Sequence, residues 1–204
     1  YKKAIESLLE SLAIFEKIYS KNHPDYILCL NNLATAYSES GNYIKAIELS
    51  LQGLDLYSDL YDDQHPKYAW VLGNLSNFYF NSGDFINALD YRKKNIYLID
   101  NIYGKEHPYY LNSLWFLSDC FNALEDYNNF FITLKNYEAL LLSRYKLYEK
   151  NFNSNLYLDF YERIHSLNSH SLSTSIYFKS MLPSENDTDK FNFFMKYFKE
   201  QNMP

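Results

Sequence analysis

At 204 residues with 47% apolar content, the chain is long enough for one large domain or a short array, and apolar enough to bury a real core. A net charge of −6 argues against nucleic acid as the main partner, because phosphate binding needs a surplus of Lys and Arg on one face. Two distant cysteines, Cys29 and Cys120, with no CxxC, exclude a disulfide framework and point to a reducing, cytoplasmic setting.

No apolar run approaches the roughly 20 residues that span a bilayer, so no membrane partner is expected. The chain starts at Tyr1 rather than Met, so an excised piece of a longer protein is one expectation.

Along the chain, residues 1–20 read as a helix. The pair His23-Pro24 follows and recurs as His65-Pro66 and His107-Pro108, 42 residues apart each time. Other columns keep the same beat: Tyr19, Tyr61, Tyr103 and Tyr145; Ile14, Leu56, Leu98 and Leu140; Ala4, Ala46 and Ala88; Leu33, Leu75 and Leu117. So many aligned columns make the chain an internal repeat array.

Each unit reads as two helices. In "YILCLNNLATAYSES", Leu30, Leu33, Ala34 and Tyr37 fall at the spacing of one buried helical face. "SGN" and "SGD" break the pattern, with Gly41 and Gly83 suited to the left-handed conformation that ends a helix. "YIKAIELSLQGLDLYSDLY" is helical again, and Ala46 lets the two helices approach closely.

Proline suits the first position of a helix and pushes the residue before it out of helical conformation. His-Pro therefore marks the start of each unit, with the imidazole free to cap a backbone N–H or pack on the adjoining turn. A shared metal is the sharper alternative, but equivalent residues in neighbouring repeats sit roughly 10 Å apart while zinc ligands lie about 2 Å from one ion.

"LNNLATAYSESGNYIKAIELSLQGLDL" with its return to His-Pro, and "LGNLSNFYFNSGDFINALDYRKKNIYLIDNIYGKEHP" after it, resemble tetratricopeptide repeats of the long variety found in kinesin light chains. The resemblance covers residues 1–150: a partial repeat (1–20), two full repeats (25–62 and 67–104) and a degenerate third (109–150), in which Glu125 replaces the turn glycine and Phe130 the small alanine. It implies an all-α fold, a right-handed superhelical solenoid of antiparallel helix pairs. The helices of the third repeat are expected to splay or pack at a different angle.

The resemblance also implies a concave groove lined by the first helix of each repeat. The face opposite Leu30, Leu33 and Tyr37 carries Leu28, Asn31, Asn32 and Thr35, then Trp70, Asn74, Asn77 and Phe80, then Asn112, Trp115, Phe116 and Asp119. Asn32 and Asn74 match the column whose asparagines, in related groove binders, hydrogen-bond an extended peptide. A carboxamide can both donate to and accept from a peptide unit. Phe116 interrupts that ladder in the third repeat. No basic residue is read on this face, so a strongly acidic partner is not expected. The aromatic residues suggest either a contact surface or an internal seat for covering segments.

Residues 151–204 lose the 42-residue columns. "NLYLDFYERIHSL", "SLSTSIYFKSML" and "KFNFFMKYFKEQ" read as helices forming a cap or a linker to a following module. "RYKLYEKNFNSNLYLDFYERIHS" resembles the segment before a caspase-like CHAT protease domain in bacterial repeat proteins.

No catalytic constellation, metal-ligand spacing or phosphate-binding glycine motif is present, and no cofactor is expected. The chain itself is read as no enzyme. Two functions remain open: a scaffold binding a peptide or partner domain in its groove, or the regulatory repeat region of a larger enzyme.

Overall fold

The structure is a computed structural model that describes residues 1–61 and 64–147. Seven helices occupy the described residues: α1 (Lys2–Tyr19), α2 (Pro24–Glu39), α3 (Tyr43–Leu60), α4 (Pro66–Asn81), α5 (Phe85–Tyr103), α6 (Pro108–Ala123) and α7 (Tyr127–Leu147). Each packs on the helix before and the helix after it, and α2 also touches α4. This is an all-α helical repeat solenoid, and it forms one compact unit over Tyr1–Leu147. The helices expected beyond residue 150, and the last residues of the third repeat, lie outside the described residues.

The start of each repeat is set by local chemistry. His23, His65 and His107 are the N-caps of α2, α4 and α6, with Pro at the first helical position. In each case Nδ1 accepts a hydrogen bond, at 3.2 Å, from the backbone N–H of Asp25, Lys67 or Tyr109. The acceptor role requires the neutral tautomer with its proton on Nε2. The ring's other task is packing: it stacks on the tyrosine four residues upstream, Tyr19, Tyr61 or Tyr103, with centroids 4.5, 4.1 and 4.5 Å apart. His-Pro is thus a cap and a hinge-pin between the end of one repeat and the start of the next.

The turn inside each repeat is equally regular. Gly41 and Gly83 adopt φ of 83° and 85°. Around them, Asn42 N–H donates to the Tyr37 carbonyl (2.9 Å) and Asp84 N–H to that of Tyr79 (3.0 Å). This six-to-one closure is a Schellman motif. The same Asn42 and Asp84 then cap the following helix, accepting from the N–H groups of Lys45 and Asn87. The third repeat keeps this connection without its glycine. Glu125 takes φ of 57°, Asp126 N–H donates to the Phe121 carbonyl at 2.9 Å, and Asp126 accepts from Asn129 N–H. Phe130, in the place of the small alanine, is buried.

Apolar clusters fill the stack among the described residues. Leu30, Leu33, Ala34, Ala46, Leu49 and Phe78 make one. Tyr26, Ile27, Leu54, Tyr57, Val71, Leu72, Leu75, Leu98 and Ile99 belong to another, which runs from α2 to α5. Ile14 and Leu98 share a column, yet Ile14 is 56% exposed and Leu98 6%, because α1 packs chiefly on α2 while α5 is held between α4 and α6.

Two expectations follow from the repeat joints. Glu125→Gly relieves a left-handed side-chain clash and should raise stability by about 0.5–1 kcal/mol in a denaturant titration. His65→Ala removes a cap and a ring stack and should cost about 1–2 kcal/mol, with His65→Asn, which restores an acceptor only, falling between Ala and wild type.

Candidate groove between the second and third repeats

In each of the first two repeats the first helix meets the second at a column where there is no room for two side chains. In the first repeat the first helix carries Asn31 and the second carries Gly53. A Cβ on Gly53 would lie 3.2 Å from Asn31 Oδ1. In the second repeat the same two columns exchange their residues: Gly73 stands on α4 and Asn95 on α5, with Asn95 Nδ2 3.2 Å from where a Gly73 Cβ would be.

The exchange changes what the amide does. Asn31 is buried and turns back on its own helix, donating to the Ile27 carbonyl at 2.9 Å, and its Oδ1 has no hydrogen-bond partner. Asn95 instead crosses to α4 and donates to the Ala69 carbonyl at 2.6 Å, while its oxygen accepts from Ser113 Oγ on α6 at 2.7 Å and from Arg92 Nη1 at 3.3 Å. The missing side chain at Gly73 opens the α4 backbone to these groups.

Arg92 occupies the column where the first repeat has Ser50. Its side chain is 3% exposed. Nη2 donates to the Gly73 carbonyl at 3.2 Å and to Asn77 Oδ1. The Phe116 ring covers the guanidinium, 4.8 Å from Cζ. Nε has no partner. Burial lowers the Arg92 pKa to about 10, opposed by smaller effects of Cys120 and Asp119, so the group remains a cation at neutral pH. The Cys120 thiol is pushed up to about 11 by burial, and burial raises Cys29 too, so both stay protonated and pack as small hydrophobes.

Above this polar floor lies an open cleft of about 450 Å³ between α4 and α6. Five of the residues expected in a groove line it together: Trp70, Asn74, Asn77, Asn112 and Phe116. Trp70 is 42% exposed, Asn112 is exposed, and the other three are half-buried. Leu28 and Asn32 are exposed on α2, and Thr35 is half-buried with its hydroxyl donating to the Asn31 carbonyl. None of these three lines the cleft, and neither do the half-buried Phe80 and Asp119. Asn31 and Trp115 are corrections to the expected groove face. Asn31 is enclosed against Gly53, and Trp115 is buried with its ring edge-on to Tyr137.

The premise that this face lacks basic residues does not hold. Lys67 lines the cleft from the first turn of α4, and Arg92 rises into its floor from the second helix of the repeat. Among the described residues, no Asp or Glu lines it. Reading only the first helices could not find Arg92 and Asn95. The available signal was a departure from the repeat, with Arg and Asn standing in columns that hold Ser50 and Gly53 one unit earlier. Among the described residues, no cluster of His, Cys, Asp and Glu is placed to hold a metal, and no helix is long and apolar enough to cross a membrane.

A family model described as tetratricopeptide repeat matches residues 1–59 and 67–129. The chain belongs to the tetratricopeptide repeat family. Repeats of this family are protein-interaction scaffolds in general, and this chain is one of them. Its fold is similar to solved structures with low sequence identity. One is a singly substituted form of nearly identical TPR-like repeats assigned to a kinesin light chain of Podosopora anserina (20% identity, TM-score 0.70, covering 93% of this chain and 88% of that one). Another is BtubC (BKLC) from P. vanneervenii (17% identity, TM-score 0.72, 96% and 74%). A third is the Rap protein complexed with Competence and Sporulation Factor (15% identity, TM-score 0.51, 87% and 56%). No curated protein matches the chain in sequence.

The Asn–Gly exchange yields an asymmetric expectation. Asn95 is pinned by three hydrogen bonds, so Gly73→Ala should cost about 1–3 kcal/mol through overpacking. Asn31 holds one hydrogen bond and can shift, so in Gly53→Ala the gain in helix propensity, up to about 1 kcal/mol, should offset most of the clash. Equal losses in the two melting curves would mean that Asn31 is held as firmly as Asn95.

Proposed function

We propose that the cleft between α4 and α6 is the working surface of this scaffold, and that it holds an extended peptide or the protruding segment of a partner domain. The single observation that carries this reading is the placement of Trp70, Asn74 and Asn112 around one open cleft with uncovered surface. Trp70 offers a large rigid anchor that loses little entropy on binding. The carboxamides on either side can donate to and accept from the backbone of a peptide whatever its side chains. Among the protein's structural neighbours, the Rap protein is itself seen in complex with a partner. Among the described residues that line the cleft, none pairs a nucleophile with an activating base, and the work proposed for it is binding.

Binding and folding separate under mutation. Trp70→Ala and Asn74→Ala should leave thermal stability within about 0.5 kcal/mol of wild type, as surface changes do. In a pull-down or peptide-binding assay, Trp70→Ala should weaken capture by on the order of 2 kcal/mol, about thirtyfold, and Asn74→Ala by about 1 kcal/mol. Leu33→Ala, deep in the core, is the control and should lose about 2–5 kcal/mol of stability. If Trp70→Ala unfolds the chain as badly as Leu33→Ala, the cleft is part of the core and not a binding surface.

A further inference from the structure

Resting on that reading of the cleft, we propose that Arg92 makes it selective for a partner segment carrying a glutamate or aspartate side chain. The three hydrogen bonds of the guanidinium all end on neutral acceptors: the Gly73 carbonyl, Asn77 and Asn95. They satisfy donors but cancel no charge, and Asp119, whose charge favours the cation by less than burial opposes it, does not line the cleft. Nε–H remains without an acceptor although it is buried. A buried cation in this condition is costly, and an arriving anion recovers part of that cost.

The setting amplifies the effect. In a chain of net charge −6, the described residues that line the cleft include two cations, Arg92 in the floor and Lys67 at the rim, and no carboxylate. Low-dielectric walls focus such a field into the opening. Trp70 and Phe116 supply apolar flanks, and the amides can hold the backbone, so the charge is left to choose the side chain. Because the guanidinium lies below the surface, a side chain reaching down from an extended segment suits it better than the end of a chain held at backbone level. The first repeat has Ser50 in the place of Arg92, so it does not share this preference.

The test starts from selection of a random displayed peptide library against the whole 204-residue chain. The recovered sequences should be enriched in Glu or Asp. For a recovered peptide, the synthetic version with that residue changed to its amide should bind about tenfold more weakly, as expected for a lost charge-assisted pair. Lys67→Glu, a rim change that leaves the buried network intact, should weaken the acidic peptide and not its amide counterpart. Arg92→Gln should abolish the difference between the two peptides; if that variant does not fold, the peptide pair and Lys67→Glu decide alone. Binders without acidic enrichment, or equal affinity for acid and amide, overturn the charge selectivity while the groove reading stands. Loss of binding on amidating only the peptide's C-terminus also overturns it, by making the terminal carboxylate the anion. Recovery of no binder overturns the groove and its selectivity together.

Discussion

The close approach of two helices within each repeat is the constraint on which this structure depends. It is achieved at fixed columns. In the first two repeats Ala46 and Ala88 lie fully buried at one level, and further along the same contact a glycine faces an asparagine. The order of the pair reverses between those two repeats, Asn31 opposite Gly53 and then Gly73 opposite Asn95, while the third repeat sets the rings of Trp115 and Tyr137 edge to face in the same columns. A core that accepts a carboxamide must also give it partners, because an unpaired polar group in a low dielectric is expensive. In the first repeat the amide finds one partner on its own helix. In the second it joins α4, α5 and α6 in one network, and Arg92 becomes tolerable there.

The joints between helices work differently, from chemistry that is complete within a few residues. A histidine caps the helix ahead of it and stacks on the tyrosine behind it. A left-handed residue closes one helix, and its neighbour opens the next. These devices agree with the hydrophobic pattern at every turn, which is the consistency that gives a chain one fold. They are strong enough to survive local damage: Glu125 adopts the glycine conformation and the Schellman bond still forms. With contacts running mainly from each helix to its neighbours, stability is the sum of such units and their interfaces.

The proposed function rests on where the repeat is broken rather than where it is kept. In the first repeat the columns that hold Arg92 and Asn95 one unit later contain the neutral Ser50 and Gly53. One unit later the same columns contain a cation and a crossing amide. The net acidity of the chain hides this, since among the described residues Lys67 and Arg92 line the cleft and no Asp or Glu does. Charge averaged over a chain says little about a site whose walls exclude solvent.

The sequence by itself determined the repeat, its helix pairs, their boundaries at His-Pro and at Gly41 and Gly83, and the family. All of these depend on contacts within a few residues, or on periodicity along one helix, and both are written linearly. It also placed Trp70, Asn74, Asn77, Asn112 and Phe116 on a common face, since one helical face can be counted off by spacing. It did not place Asn31 and Trp115, whose burial depends on what stands across from them: a glycine for one, Tyr137 for the other. Nor did it bring Arg92 into the cleft. That side chain starts on the second helix and crosses to the Gly73 carbonyl, nineteen residues earlier. Spacing along a helix tells which residues share a face, but which neighbour's side chain passes beneath that face is decided only when two helices meet.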